Sequence, residues 1–204
     1  MSSAATFWDK IAAGYAKRPV GDQAAYEHKL AKTQEYFRPD MKVLEMACGT
    51  GTTALHHASH VGQYRAVDIS SEMIRIARAK EGAEAVQFEV ADFDALHLPP
   101  ESLDMIQGHS ILHLLPDPRA TLKKSFAALK PGGTFVSSTV CVKRLWWLKL
   151  IAPIARALGK FPPLKFYAAD DIRKMMVEAG FEIEYDWQPK PKSLVVFLIA
   201  KKPE

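Results

Sequence analysis

Short apolar runs alternate along the chain with stretches of helical spacing, and turn-forming residues separate the two. Residues 42–46 read as a buried strand, followed by a glycine-rich turn and a helix-compatible stretch over 52–61. Residues 64–69 read as a second strand, after which Ser70-Ser71-Glu72 offers a capped start to a helix carrying Met73, Ile74, Ile76 and Ala77. The same pattern predicts strands over 86–90, 103–107 and 134–140, and a helix over 117–130 closed by Pro131-Gly132-Gly133. A helix over 170–179 ends at Gly180, and two strands over 181–187 and 194–200 flank a Pro/Lys-rich turn at 188–193, so they should pair antiparallel. One or two helices are expected within 3–37. The predicted fold is α/β, a doubly wound, seven-stranded, mostly parallel sheet with a C-terminal antiparallel hairpin and a helical insertion after the fifth strand. A single domain over 1–204 is expected, with an N-terminal helical segment at 1–40 and a lid-like insertion at 143–168. Ligands in such sheets bind at the carboxyl ends of the strands.

Composition narrows the class. With 204 residues, 48% apolar and 25% charged, the chain fits a soluble globule and not a disordered or fibrous protein. Two cysteines, Cys48 and Cys141, cannot build a disulfide framework or a four-ligand zinc site and suit a reducing compartment. The first residues lack a basic-then-apolar leader, and no window reaches the roughly 20 apolar residues of a membrane span, so a cytoplasmic location is expected. A formal net charge of +4 is too small to demand nucleic acid.

The first strand runs into Glu45-Met46-Ala47-Cys48-Gly49-Thr50-Gly51-Thr52-Thr53-Ala54, with small residues where backbone must approach a ligand. Gly49, Gly51 and Ala54 also satisfy the dinucleotide fingerprint, so the glycines leave NAD and other adenosine ligands open. Glu45 discriminates. A carboxylate there would repel a pyrophosphate but would offset the charge of S-adenosylmethionine, which carries a sulfonium and an ammonium and no phosphate. Asp68, at the end of the second strand, is placed to accept from both ribose hydroxyls, and Asp92, after the third, to accept from an adenine amino group.

These motifs, with Val67-Asp68-Ile69-Ser70, Met73, Ala91-Asp92-Phe93, the 103–115 segment and Leu129-Lys130-Pro131-Gly132-Gly133 in the same order, resemble the class I S-adenosylmethionine-dependent methyltransferases. The similarity is to the small-molecule branch that includes quinone-biosynthesis and lipid-type enzymes, and it implies a Rossmann-like fold. It implies that Glu45, Ala47, Gly49 and Gly51 meet the methionine moiety, Asp68 the ribose, Ile69 and Met73 the adenine faces, and Asp92 with Phe93 its polar edge. Ala47 departs from the family's usual glycine, and its methyl is expected to demand a negative φ. Trp8-Asp9-Lys10-Ile11-Ala12-Ala13-Gly14-Tyr15 resembles the family's opening segment, which makes Tyr15 a candidate to reach over the methionine end. Packing against Ile11 within its own helix is the alternative.

Methyl transfer from a sulfonium is an in-line displacement whose donor is already activated, so positioning and desolvation supply much of the rate. Where the acceptor is a hydroxyl or an acidic carbon a base helps, and His109 and His113 in Gly108-His109-Ser110-Ile111-Leu112-His113 are the candidates; the resemblance implies a backbone contact to the methionine end as the other role for His109. His56, His57 and His60 lack a nearby carboxylate or cysteine ligand and are expected on a surface helix face, so no metal site is expected. Cys141 is not expected to act as a nucleophile, and the segment after the fourth strand lacks the pattern of enzymes that act on flipped bases. The insertion, with Trp147, Leu150, Ile151, Ile154 and Leu158 set apart from Lys149, Arg156 and Lys160, is read as a lid over the acceptor; a membrane-surface contact through 143–160 and a core helix remain as alternatives. The expected reaction is methyl transfer to a small hydrophobic, aromatic or amphipathic acceptor. An NAD(P)-dependent oxidoreductase and a non-catalytic cofactor-binding regulatory module are the rival readings.

Overall fold

The run Lys42–Met46 (β1) is buried at every position after the first, as a strand covered on both faces requires. The computed structural model describes residues 3–145, 147, 151, 162, 164–191 and 193–204. The other strands are Gln63–Asp68 (β2), Gln87–Val90 (β3), Leu103–His109 (β4), Leu129–Val140 (β5), Glu182–Trp187 (β6) and Val195–Lys201 (β7), and the sheet order is β3-β2-β1-β4-β5-β7-β6. Strands β1 to β5 pair parallel, while β7 runs antiparallel to both β5 and β6. The predicted seven-stranded sheet is therefore the observed one, hairpin included.

Helices are Ser3–Ala16 (α1), Gln23–Gln34 (α2), Thr52–His57 (α3), Ser71–Arg78 (α4), Pro118–Ala128 (α5) and Ala169–Glu178 (α6). Local sequence explains their starts. Ser70 caps α4 by accepting from the Met73 amide at 3.1 Å, and Asp117 caps α5 with Pro118 at its first position, where a missing N–H costs nothing.

Alternation along the strands feeds two cores. Leu44, Met46, Val67, Ile106, Phe135 and Leu198 pack towards Leu122 of α5 and Ile172 and Met176 of α6. Val43, Tyr64, Ala66, Met105, Val136 and Phe197 pack with Ala54 of α3 and Ile74 and Ala77 of α4. Several boundaries shift by a residue or two, and two differ more substantially. α5 stops at Ala128, and β5 begins at Leu129 because Leu129 pairs with Leu103; Pro131-Gly132-Gly133, read as a helix terminator, forms an irregularity inside the strand, with Gly132 at φ +74. The helix read over 52–61 ends at His57 and tightens into a 3-10 turn over Ala58–His60.

From β1 the chain winds outward through β2 and β3 on one side and through β4 and β5 on the other, which makes the gap between β1 and β4 the topological switch point. Of the insertion, Trp147 and Ile151 are exposed, whereas Lys149, Leu150, Ile154, Arg156, Leu158, Lys160 and Phe161 lie outside the described residues, and with them the lid, membrane-contact and core-helix readings. No described helix is long and apolar enough to cross a membrane.

Candidate active site

Register assembles the site before any loop is considered. Glu45 on β1 stands beside Ala66 on β2 and Gln107 on β4, all on the face that α3 and α4 cover. Tyr64, one alternation back along β2, donates its hydroxyl to Glu45 Oε2 at 2.7 Å. Glu45 is 2% exposed and makes no ion pair among the described residues. Burial pushes its carboxyl up to about 8 against the Tyr64 hydrogen bond, and the Asp68 charge adds to the rise, so the group is neutral at pH 7.

Asp68 ties the turn after β1 to the start of α4: Oδ2 accepts from the Gly49 amide at 2.8 Å and Oδ1 from the Ser70 amide at 2.9 Å. Each oxygen keeps a lone pair for a further donor. Burial raises its pKa, partly offset by those two amides. Gly51, at φ +74, opens α3, and a Cβ there would stand 2.6 Å from Phe88 Cζ and 2.9 Å from Ala77 Cβ. The expectation for Ala47 fails. Its φ is +51, the left-handed region, so the methyl that replaces the family's glycine hydrogen is held against the following carbonyl at a cost of roughly 1–2 kcal/mol. Ser110, across the switch point after β4, has φ +56, so two of the three described non-glycine residues with positive φ border this crevice. Strain of this kind gathers where geometry serves a ligand.

Tyr15 is half-exposed at the end of α1, with its ring edge-to-face on Trp8 at 6.4 Å. Its Cε1 would lie 3.9 Å from a Cβ on Gly49, which puts the ring over the glycine turn. Ile69 is half-buried and Met73 buried, both directly after Asp68. Asp92 is exposed at the carboxyl end of β3, where one oxygen accepts from the Asp94 amide. The Phe93 side chain does not face the crevice: it is buried in the α5-side core, and Lys124 Nζ donates to the Phe93, Asp94 and Leu96 carbonyls beside it. Only the Phe93 backbone is left for an adenine edge.

His109 ends β4 on the Glu45 face, and its Nε2 lies 3.1 Å from Gln107 Oε1. An amide oxygen only accepts, so Nε2 carries the proton and Nδ1 the lone pair. Burial, helped by the Lys29 charge on α2 and by His57, brings its pKa down to about 3. His57 corrects an expectation: it is fully buried against Phe37, not on a surface face, and both ring nitrogens lack a hydrogen bond. No group of three metal-ligating side chains occurs among the described residues. His113 is buried with Nδ1 unpaired, and its carbonyl accepts from the Lys165 amide; no hydrogen bond or ring contact joins it to His109. Burial lowers it to about 4. Cys141 is buried with its thiol pushed up to about 11, the opposite of an activated nucleophile.

Sequence reasoning passed over Tyr64 and Gln107, although strand alternation puts both on the Glu45 face once register is known. It also passed over Tyr26, whose hydroxyl lies 3.3 Å from Thr53 Oγ1 and whose pKa is raised by burial and, to a lesser degree, by the Glu45 charge, because nothing local marks an α2 tyrosine.

A family model described as "Methyltransferase domain" matches residues 37–178. The chain is 31% identical to a ubiquinone biosynthesis O-methyltransferase of Idiomarina loihiensis, over 59% of this chain and 51% of that one. It is also 31% identical to a demethylmenaquinone methyltransferase of Symbiobacterium thermophilum, over 63% of this chain and 55% of that one. The chain thus spans about half the length of these curated relatives. A solved S-adenosylmethionine-dependent methyltransferase from Mesorhizobium loti superposes with a TM-score of 0.69 over 83% of this chain and 94% of its own, at 19% identity, which is a likeness of fold.

Proposed function

Because this chain belongs to the class I methyltransferase-domain family, we propose that it binds S-adenosylmethionine at the β1/β4 switch point and methylates a small hydrophobic or aromatic acceptor. The observation that carries this reading is Glu45, a buried carboxyl with one hydroxyl partner and no described cation. A cationic, phosphate-free ligand supplies the missing partner; a dinucleotide would bring a pyrophosphate to the same place. Glu45 with the Ala47–Gly51 turn holds the methionine end, Asp68 the ribose, Ile69 and Met73 the adenine faces, Asp92 and the Phe93 backbone the adenine edge, and Tyr15 covers the turn. The cofactor supplies a methyl group activated on sulfonium.

At the rim of β4, His109 offers Nδ1 to the acceptor. An imidazole held near 3 is too weak a base to remove an ordinary hydroxyl proton at neutral pH, so its part is to accept a hydrogen bond and orient the acceptor while burial excludes water. His113, packed under the segment near Lys165, is the weaker candidate for a direct role. The relatives named for quinone biosynthesis favour an aromatic acceptor, and two buried free cysteines suit the cytoplasm. Calorimetric titration with S-adenosylmethionine, S-adenosylhomocysteine and NAD tests the reading. Binding of the first two and not of NAD is expected. NAD binding alone would revive the oxidoreductase, and cofactor binding with no methyl consumed across a broad acceptor panel would favour a regulatory module.

A further inference from the structure

Asp9 lies in the middle of α1, on a stripe with buried Ala5 and Ala12, and its Oδ1 reaches three donors at the start of α4. The Ser70 hydroxyl donates at 2.6 Å, the Glu72 amide at 3.1 Å and the Ser71 hydroxyl at 3.4 Å. Ser70 is fully buried and engaged throughout: its hydroxyl donates to Asp9 and accepts from the Met73 amide, and its own amide donates to Asp68. The contacts close a ring. Gly49 binds Asp68, Asp68 binds Ser70, Ser70 binds Asp9, and α1 carries Tyr15 back over Gly49. An acid at the first turn of α4 also meets the positive end of that helix.

Resting on the cofactor site above, we propose that Asp9 is a positioning residue that clasps α1 to the start of α4 and so holds Tyr15 over the glycine turn. The clasp makes the N-terminal helix and the ribose-binding carboxylate one mechanical unit, although Asp9 itself touches no ligand. Lys10 lies within α1, where the helical backbone resists a protease, so loosening of the helix opens a trypsin site at Lys10-Ile11.

A double-mutant cycle reads the clasp, with S-adenosylhomocysteine binding by calorimetry as one measurement and tryptic cleavage after Lys10 as the other. Asp9→Ala and Tyr15→Ala are each expected to weaken binding about tenfold, and the double variant also by about tenfold, because Asp9 acts through Tyr15. Asp9→Asn, which keeps an acceptor without the charge, should restore part of the affinity, and Ser71→Ala, which removes only the longest contact, should change nothing. Cleavage in ligand-free Asp9→Ala should be several-fold faster than in wild type. Losses that multiply to about a hundredfold in the double variant, or wild-type affinity and cleavage in Asp9→Ala, would overturn the proposal. If wild type fails to bind S-adenosylhomocysteine, the cofactor reading falls instead, and the cleavage comparison still decides whether the clasp exists.

Discussion

Glu45 must lose a proton before it can balance a cationic ligand, so cofactor affinity should depend on pH in a way that the structure specifies. Burial, with the Asp68 charge beside it, pushes its carboxyl up to about 8 from an ordinary 4.5, and among the described residues the Tyr64 hydroxyl alone donates to it. Below that point, binding that requires the carboxylate must drive off the proton. Each pH unit costs about 1.4 kcal/mol, or tenfold in affinity. The expected profile for S-adenosylmethionine rises about tenfold per unit from pH 6 towards 8 and then levels. Titration calorimetry in two buffers of different ionisation enthalpy should register about one proton released per ligand at pH 6. Glu45→Gln supplies the baseline: it removes the slope attributable to this group, including any confusion with the ligand's own amine, and binds at pH 8 weaker than wild type by about 1–3 kcal/mol. Tyr64→Phe deletes the hydrogen bond that favours the charged form and should shift the rising limb to higher pH. Equal slopes in wild type and Glu45→Gln, with no proton released, would refute the argument.

The same group sets a stability trend without ligand. The folded chain keeps the Glu45 proton up to about pH 8 while the unfolded chain gives it up near 4.5, so wild-type stability should fall by a few kcal/mol across that window. Urea unfolding at pH 5 and pH 8 should show that Glu45→Gln removes the fall. Ala47→Gly relieves the left-handed Cβ contact but loosens the unfolded chain; a net gain of up to about 1 kcal/mol is expected in the same assay. Gly51→Ala meets both a left-handed φ and Phe88, and should cost more than about 2 kcal/mol and weaken cofactor binding. Asp68→Ala, which also frees the Gly49 and Ser70 amides, should lower affinity for S-adenosylhomocysteine by about 1–3 kcal/mol at every pH from 6 to 9.

Most of the architecture was legible because buried parallel strands are short and apolar and the turns between them carry Gly, Pro, Ser and Asp. The alternation of strand and helix, the hairpin and the three acidic strand ends were all visible in that pattern. What escaped depended on register or on contacts between distant segments. Tyr64 and Gln107 become neighbours of Glu45 only through strand pairing, and Asp9 meets Ser70 across 61 positions of sequence. His57 looked like one of three surface histidines, yet the packing of Phe37 buries it alone of the three. Composition cannot forecast that one turn of a helix faces inward. The failure at Ala47 is of another kind: sterics predicted a negative φ, and the hydrogen-bonded turn between β1 and α3 overruled them.

The position of β7 between β5 and β6 has a consequence for biosynthesis. A ribosome delivers β6 before β7, but β6 has no place in the sheet until β7 lies beside β5. The nascent chain therefore shows an unpaired β5 edge, with its row of free amides and carbonyls, throughout the interval in which α6 and β6 emerge. Docking of the hairpin as a preassembled pair ends that interval, and any delay between the two strands lengthens the time in which a second nascent chain, or a chaperone, can claim the edge.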